Sequence, residues 1–284
     1  MILRAQSFRA SDYLLLNGIT TMAMTVAKLN QLKQNQQKFA CLACYDSSFA
    51  AAAQSAGIEV LLVGDSLGMV VQGHRSTVPV SVDAIEYHTR CVARGCDQPL
   101  IMADLPFMAA REHSAGLDAA MRLMQAGAHM IKIEGGASMV PLVEQLTTLG
   151  VPVCSHLGLT PQSVNLLSGY AVQAKTDQTA ELLLEDARRL EQAGCCLTLV
   201  ECVPQGVAAK LSEFVSTPII GIGAGPATDG QILVAYDMLG LFPGKPARFV
   251  KNYLATSGGV IQAMSAFREE VQQKLYPAAE HSFG

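Results

Sequence analysis

The chain has 284 residues, half of them hydrophobic, 15% charged and a net charge of −4, which is enough to bury a large core and too apolar for a disordered chain. No basic stripe or arginine-rich segment supplies the phosphate-neutralising footprint of a nucleic-acid binder. The longest apolar runs, such as 58–63 and 197–200, fall far below the roughly 18 residues that a membrane-spanning helix needs, so DNA, RNA and membranes are excluded as partners.

Residues 1–21 contain Leu14, Leu15 and Leu16, but polar residues interrupt them and no small-residue cleavage pattern follows. They read as a flexible N-terminal extension rather than a signal peptide, which leaves 22–284 as a single domain. From about residue 25 to 240, short apolar runs alternate with longer amphipathic stretches, the pattern of repeated β-α units around a parallel sheet. In chain order the runs are 39–45, 58–63, 100–103, 130–133, 151–154, 195–200, 219–222 and 232–235. Helix-like segments with apolar residues at three- and four-residue spacing occupy 81–94, 113–126, 138–149, 176–193 and 204–214. Gly57, Gly95, Gly127, Gly150 and Gly194 stand where helices should stop. Further helical stretches at about 25–36 and 260–275 flank the unit. Eight parallel strands in one chain of this length favour a closed (β/α)8 TIM barrel over an open doubly wound sheet. The turn after the first run, Tyr45-Asp46-Ser47-Ser48, also lacks the glycine fingerprint of a doubly wound dinucleotide fold.

Eight cysteines could make four disulfides, but Cys41, Cys44, Cys154, Cys195, Cys196 and Cys202 sit in or beside apolar runs. They read as buried free thiols of a reducing cytoplasm. Cys41 and Cys44 form a C-x-x-C, but a spacing of three on a strand points the two thiols to opposite faces. The sparse charge leaves little polar surface for a monomer, so the chain is expected to bury apolar surface in a homo-oligomer.

Four acidic residues stand at or just past the ends of apolar runs: Asp65, Asp104, Glu134 and Glu201. In a barrel those ends converge on one mouth, where active sites form. One such aspartate commonly just caps the next helix, but four carboxylates in one mouth repel each other unless a cation neutralises them or their pKa values rise. No cysteine pair or histidine pair at zinc spacing lies beside Asp65 and Asp104, so Mg2+ fits these hard oxygens better than zinc. Lys132 and Glu134, two apart on one strand, point to one face and form either a structural salt bridge or a working pair. His156 follows the fifth run and is either a satisfied near-core histidine or a ligand-binding donor at the mouth. Gly221-Ile222-Gly223-Ala224-Gly225 looks like a phosphate loop, but it follows the seventh run and Pro226 breaks the required spacing. A tight turn that brings backbone close to a ligand is the favoured reading.

At these residues the chain resembles ketopantoate hydroxymethyltransferases from about residue 28 to residue 283. The stretches that carry the resemblance are Val63-Gly64-Asp65-Ser66-Leu67-Gly68 with Gln72-Gly73-His74, Ala103-Asp104-Leu105-Pro106-Phe107-Met108 and Lys132-Ile133-Glu134-Gly135-Gly136. The others are His156-Leu157-Gly158-Leu159-Thr160-Pro161-Gln162, Glu201-Cys202-Val203-Pro204, 221–225 with Asp229-Gly230-Gln231, and Glu280-His281-Ser282-Phe283. The resemblance implies a barrel of the phosphoenolpyruvate mutase and isocitrate lyase superfamily, assembled as a decamer. It implies transfer of a one-carbon unit from 5,10-methylenetetrahydrofolate to 3-methyl-2-oxobutanoate, the committed step towards pantothenate. It also implies that Asp65 and Asp104 hold Mg2+ with Glu134 near it through water, that Ser66 and Lys132 bind the oxo acid, that His156 lies in the site, and that Glu201 is the base. The chain departs from the family pattern after Gly169-Tyr170, where Ala171 stands for a basic residue and Ala174 for a glycine. Carbon–carbon lyases of the same superfamily resemble one another in a Lys-Lys-Cys-Gly-His loop that this chain lacks.

Overall fold

Eight apolar segments form eight parallel strands that are hydrogen-bonded in chain order, the last pairing back to the first, in a closed barrel. The computed structural model describes residues 23–242 and 244–284, so the expected extension at 1–21 lies outside the described residues. The strands are β1 Phe39–Ala43, β2 Val60–Val63, β3 Leu100–Asp104, β4 Met130–Glu134, β5 Val153–Gly158, β6 Leu197–Glu201, β7 Ile219–Ile222 and β8 Gly230–Val234. Nearly every strand residue is buried, because helices cover the outside and side chains fill the inside. Hence these strands read as continuous apolar runs rather than alternating ones.

Several strands extend further than their apolar runs, and the extensions bring in polar residues. β5 reaches Gly158 and contains His156, which the sequence reading put after the strand; β4 takes in Glu134 and β6 takes in Glu201. β8 begins at Gly230, two residues before the expected run. Phe39 pairs with Gly230 across the closing seam, and a Cβ at that glycine would come within 2.5 Å of the Phe39 ring. A small residue there lets the last strand lie against the first.

The helices are α1 Val26–Gln34, α2 Ser47–Ser55, α3 Leu67–Val70, α4 Val82–Gly95, α5 His113–Gln125, α6 Val140–Thr148, α7 Asp177–Gln192, α8 Gln205–Phe214, α9 Ala235–Met238 and α10 Val260–Gln272. α4 shows the amphipathic logic: Ser81 caps its N-terminus by accepting from the Ala84 N–H, and Ile85, Thr89 and Val92 form its buried stripe. α2 was not foreseen, although Asp46 caps it by accepting from the Ser48 and Phe49 N–H groups. Gly57, Gly127, Gly150 and Gly194 take positive φ after helices, as expected of stop residues. Gly95 differs: it ends α4 inside the helix, and a Cβ there would meet the Ser47 backbone at 2.2 Å. It serves the close approach of α4 to α2. All eight cysteines are free thiols, and the six buried ones include Cys96 rather than Cys196. Among the described residues no helix is long and apolar enough to cross a membrane.

Candidate active site

The polar strand ends meet at the C-terminal mouth of the barrel. Register explains why: Asp104 on β3 pairs with Lys132 on β4, and Glu134 pairs with His156 on β5, so each pair projects to the same side. His156 pairs in turn with Leu199 on β6, and Glu201 two residues on points the same way. Asp65 follows β2 by two residues. All of these side chains, with Ser66, line one cavity of about 570 Å3 whose remaining wall is largely apolar, including Leu62, Leu159 and Ile222.

The cluster is a connected network. The Lys132 ammonium donates to Asp104 Oδ1 at 2.6 Å and reaches Glu134 Oε1 at 3.4 Å. Asp104 Oδ2 also accepts from the Asp65 backbone N–H at 3.0 Å. His156 Nδ1 lies 3.2 Å from Glu134 Oε1, and its Nε2 lies 3.3 Å from Glu201 Oε2. That second contact is within ion-pair reach but lacks hydrogen-bond geometry, so Nε2 is a buried polar atom without a hydrogen-bond partner among the described residues.

Burial sets the electrostatics. It raises the pKa of Asp65, and the neighbouring Asp104 and Glu134 charges raise it further; burial also raises that of Asp104 against the pull of Lys132. Glu134 goes the other way: burial would raise it, but Lys132 and His156 hold it down to about 2. Burial and Lys132 pull His156 down, yet Glu134 and Glu201 outweigh them and bring it to about 9. Lys132 stays above its ordinary value because Asp104, Glu134 and Asp65 offset its burial. Glu134 is therefore an ionised anchor already occupied by three neighbours, whereas the charge of Asp65, among acidic neighbours, is poorly compensated and that of Asp104 is disfavoured by burial despite its ion pair with Lys132.

That contrast bears on a metal. Among the described residues no three His, Cys, Asp or Glu side chains converge to enclose an ion by themselves. Asp65 accepts one side-chain bond, from Gln162 Nε2 at 2.8 Å to Oδ2, and its other oxygen has no partner among the described residues. Two hard-oxygen carboxylates at neighbouring strand ends, one of them with that unpartnered oxygen, in a cavity with room for water and substrate, fit the habits of magnesium. Glu134, already committed to Lys132, His156 and the Gln162 N–H, is suited to act from behind rather than as a direct ligand.

A sequence model described as ketopantoate hydroxymethyltransferase matches residues 23–279. The chain belongs to that family. It is 50% identical over 262 residues to the 3-methyl-2-oxobutanoate hydroxymethyltransferase of Marinobacter nauticus, covering 92% of this chain and 99% of the relative. It is 52% identical over 259 residues to the enzyme of that name from Erwinia tasmaniensis, covering 91% and 98%. Among solved structures, a 2,3-dimethylmalate lyase of the phosphoenolpyruvate mutase and isocitrate lyase superfamily aligns with a TM-score of 0.56 at 14% identity, over 75% of this chain and 81% of that one. Phosphonopyruvate hydrolase, solved with oxalate and Mg2+, aligns with a TM-score of 0.56 at 13% identity, over 74% and 81%. These distant structures carry the barrel fold, as the sequence reading expected.

Within this family member the structure adds residues that sequence reasoning missed. Gln162 is a keystone: its backbone N–H holds Glu134 Oε2 at 3.0 Å while its amide holds Asp65 and the Leu105 carbonyl. It stood inside a matched stretch, but nothing in its type signalled a role. The Tyr45 hydroxyl lies 2.8 Å from Ser66 Oγ, tying the end of the first strand to a candidate substrate donor. Tyr170 and Asp237 also line the cavity. In the loop that departs from the family pattern, Ala174 adopts φ 54°, a left-handed conformation that glycine enters without strain. The 221–225 turn is packed rather than open: Cβ atoms at Gly221 and Gly223 would meet Thr228 at 2.6 Å and Phe249 at 2.8 Å, which favours the tight-turn reading over a phosphate loop.

Proposed function

We propose that the chain catalyses hydroxymethyl transfer to 3-methyl-2-oxobutanoate: with 5,10-methylenetetrahydrofolate and water as co-substrates, the products are 2-dehydropantoate, on the route to pantothenate, and tetrahydrofolate. Family membership supports the reaction, and one observation carries the chemistry. Asp65 and Asp104 follow or end β2 and β3, while Glu201 ends β6, four strands from β2 in a closed ring of eight. The candidate metal pair and the candidate base therefore face each other across the mouth. Removing the C3 proton of a 2-oxo acid requires that disposition, with positive charge at the keto oxygen and a carboxylate near C3.

In this reading Asp65 and Asp104 would hold Mg2+ with Glu134 behind them, and the ion would supply Lewis-acid stabilisation of charge developing on the keto oxygen. Lys132 adds an ammonium donor to the same charge. Ser66, held by Tyr45, donates to the oxo acid. Glu201 takes the C3 proton, and the His156 ring, fixed at Nδ1 by Glu134, presents Nε2 within ion-pair reach of the Glu201 carboxylate. The resulting carbon nucleophile attacks the methylene carbon of the folate while the apolar wall limits quenching by water. Water then replaces the folate nitrogen at that carbon, breaking the C–N bond and leaving the hydroxymethyl group and tetrahydrofolate. Homo-oligomerisation, as a decamer, is supported by the family resemblance and by exposed Leu149, Leu166 and Leu182. Cytoplasmic residence is supported by the free thiols. A coupled assay tests the activity: 3-methyl-2-oxobutanoate, the methylene donor and Mg2+ should yield tetrahydrofolate stoichiometric with 2-dehydropantoate, and no product above the enzyme-free rate would overturn the reading.

A further inference from the structure

The cavity has a second half, built differently from the carboxylate cluster. β8 runs directly into α9, and Asp237 on that short helix lines the cavity. Its carboxyl has no hydrogen-bond or ion-pair partner among the described residues, and burial pushes its pKa up to about 6. The same cavity is lined by three phenylalanines, Phe242, Phe249 and Phe283. Phe249 and Phe283 pack onto Gly223, where a Cβ would stand 2.8 and 3.0 Å from their rings. Two cations, Lys245 and Arg248, stand at the exposed rim. Arg248 is held in place, with Nε donating to the Glu280 carbonyl at 2.9 Å and its guanidinium carbon 5.5 Å from the Phe283 ring centroid. Its terminal amino groups have no partner among the described residues.

Each feature asks for a specific ligand chemistry. A partly buried carboxylate without donors is costly, and its best complement is a pair of parallel N–H groups. Aromatic side chains in a cavity wall suit a planar heterocycle. Rim cations suit anionic groups that remain close to solvent. A five-carbon oxo acid fills only a fraction of about 570 Å3, so a larger second ligand has room.

We propose that this half of the cavity seats the one-carbon donor: Asp237 accepts from the 2-amino and ring N–H groups of its 2-amino-4-oxopyrimidine edge, the heterocycle lies against Phe249 and Phe283, and Lys245 and Arg248 meet the carboxylates of its glutamyl tail. The assignment rests on the transferase reading above. It orients the donor with its recognition edge on the β8 side and its tail towards solvent.

Equilibrium binding of tetrahydrofolate and of its 2-desamino analogue to wild-type protein and to Asp237→Asn tests the seat. Asn keeps the size of the side chain but turns a donor towards the ligand's donors. Tetrahydrofolate should lose at least tenfold in affinity on Asp237→Asn. The analogue, which keeps the ring N–H, should bind wild type more weakly than tetrahydrofolate and lose less than tetrahydrofolate does on the variant, because both changes remove the 2-amino contact. The analogue is also measured on wild-type protein, so that arm stands even if the variant fails to fold: wild type that binds the analogue as tightly as tetrahydrofolate overturns the seat. Arg248→Ala should weaken tetrahydrofolate several-fold while leaving tetrahydropteroate, which lacks the glutamyl tail, unaffected; equal effects on both would overturn the tail contact. Wild-type protein that binds tetrahydrofolate no better than Asp237→Asn does overturns the seat alone. Wild-type protein that exchanges the oxo acid's C3 proton yet binds no tetrahydrofolate overturns both the seat and the transferase reading.

Discussion

Asp65 and Asp104 look alike in sequence, but their surroundings differ in a way that separates their substitutions. Asp104 accepts from the buried Lys132 and from the Asp65 N–H, whereas Asp65 accepts only from Gln162. Asp104→Ala takes the closer partner from the buried Lys132 ammonium and leaves it the longer contact with Glu134, so lost activity there should come with a lower Tm. Asp65→Asn is cleaner. Burial and its acidic neighbours raise the Asp65 pKa, and a carboxylate raised on folding costs stability wherever it would be ionised in the unfolded chain. In EDTA at neutral pH the variant should therefore melt at or above the wild-type temperature. With Mg2+ the wild type should gain stability through binding and the variant should not. Thermal unfolding under both conditions checks this; an Mg2+-dependent gain in Asp65→Asn would remove Asp65 from the metal site. His156 gives a pH signature of opposite sign. Its pKa, raised to about 9, adds stability that is fully present below its ordinary value near 6.5 and lost as pH rises through 9. Denaturation midpoints of the metal-free protein should fall across that window, and His156→Gln should flatten the slope.

At the scale of elements, the apolar runs were legible because a parallel barrel buries both faces of each strand. Their ends were not. A reading by hydrophobicity stops at the first polar residue, yet Glu134, His156 and Glu201 are strand residues, polar because the last turns of the barrel interior face a site rather than a core. The start of β8 was hidden for another reason: at the opposite end of the barrel Gln231 donates to the Gly225 carbonyl and to Thr228 Oγ1. α2 escaped because its Phe49-Ala50-Ala51-Ala52-Ala53 core carries little contrast between faces, and Asp237 escaped because the sequence reading put Ala235 in the eighth strand. Gly95, read from sequence as a stop signal, does end α4, and it also serves packing. Gly95→Ala would push a methyl group into the Ser47 backbone of α2, so α4 and α2 must separate. Overpacking of this kind costs roughly 1–3 kcal/mol, and urea titration should show that loss; an unchanged midpoint would mean that the two helices shift freely.

For the whole molecule, closure of the barrel brings residues from five consecutive strand ends, Asp65 to Glu201, into one mouth, which no local stretch of sequence encodes. The order of acidic residues along the chain was readable, as was the pairing of Lys132 with Glu134; the bridging of Glu134 and Asp65 by Gln162 was not, because it depends on a loop folding back over two strands. Exposed Leu149, Leu166 and Leu182 leave apolar surface that a single barrel does not cover. Sedimentation at micromolar concentration should give a large homo-oligomer, near ten chains, and a monomer would contradict this. The central claim is that Glu201, across the mouth from Asp65 and Asp104, removes the C3 proton. That step needs no folate. Wild-type protein with Mg2+ should therefore exchange the C3 proton of 3-methyl-2-oxobutanoate with deuterated water when the donor is withheld, and Glu201→Gln should lose ~10²- to 10⁴-fold of that rate while still binding Mg2+ and the oxo acid. Exchange by Glu201→Gln at the wild-type rate would contradict the account and move the base to His156 or to another group in the mouth.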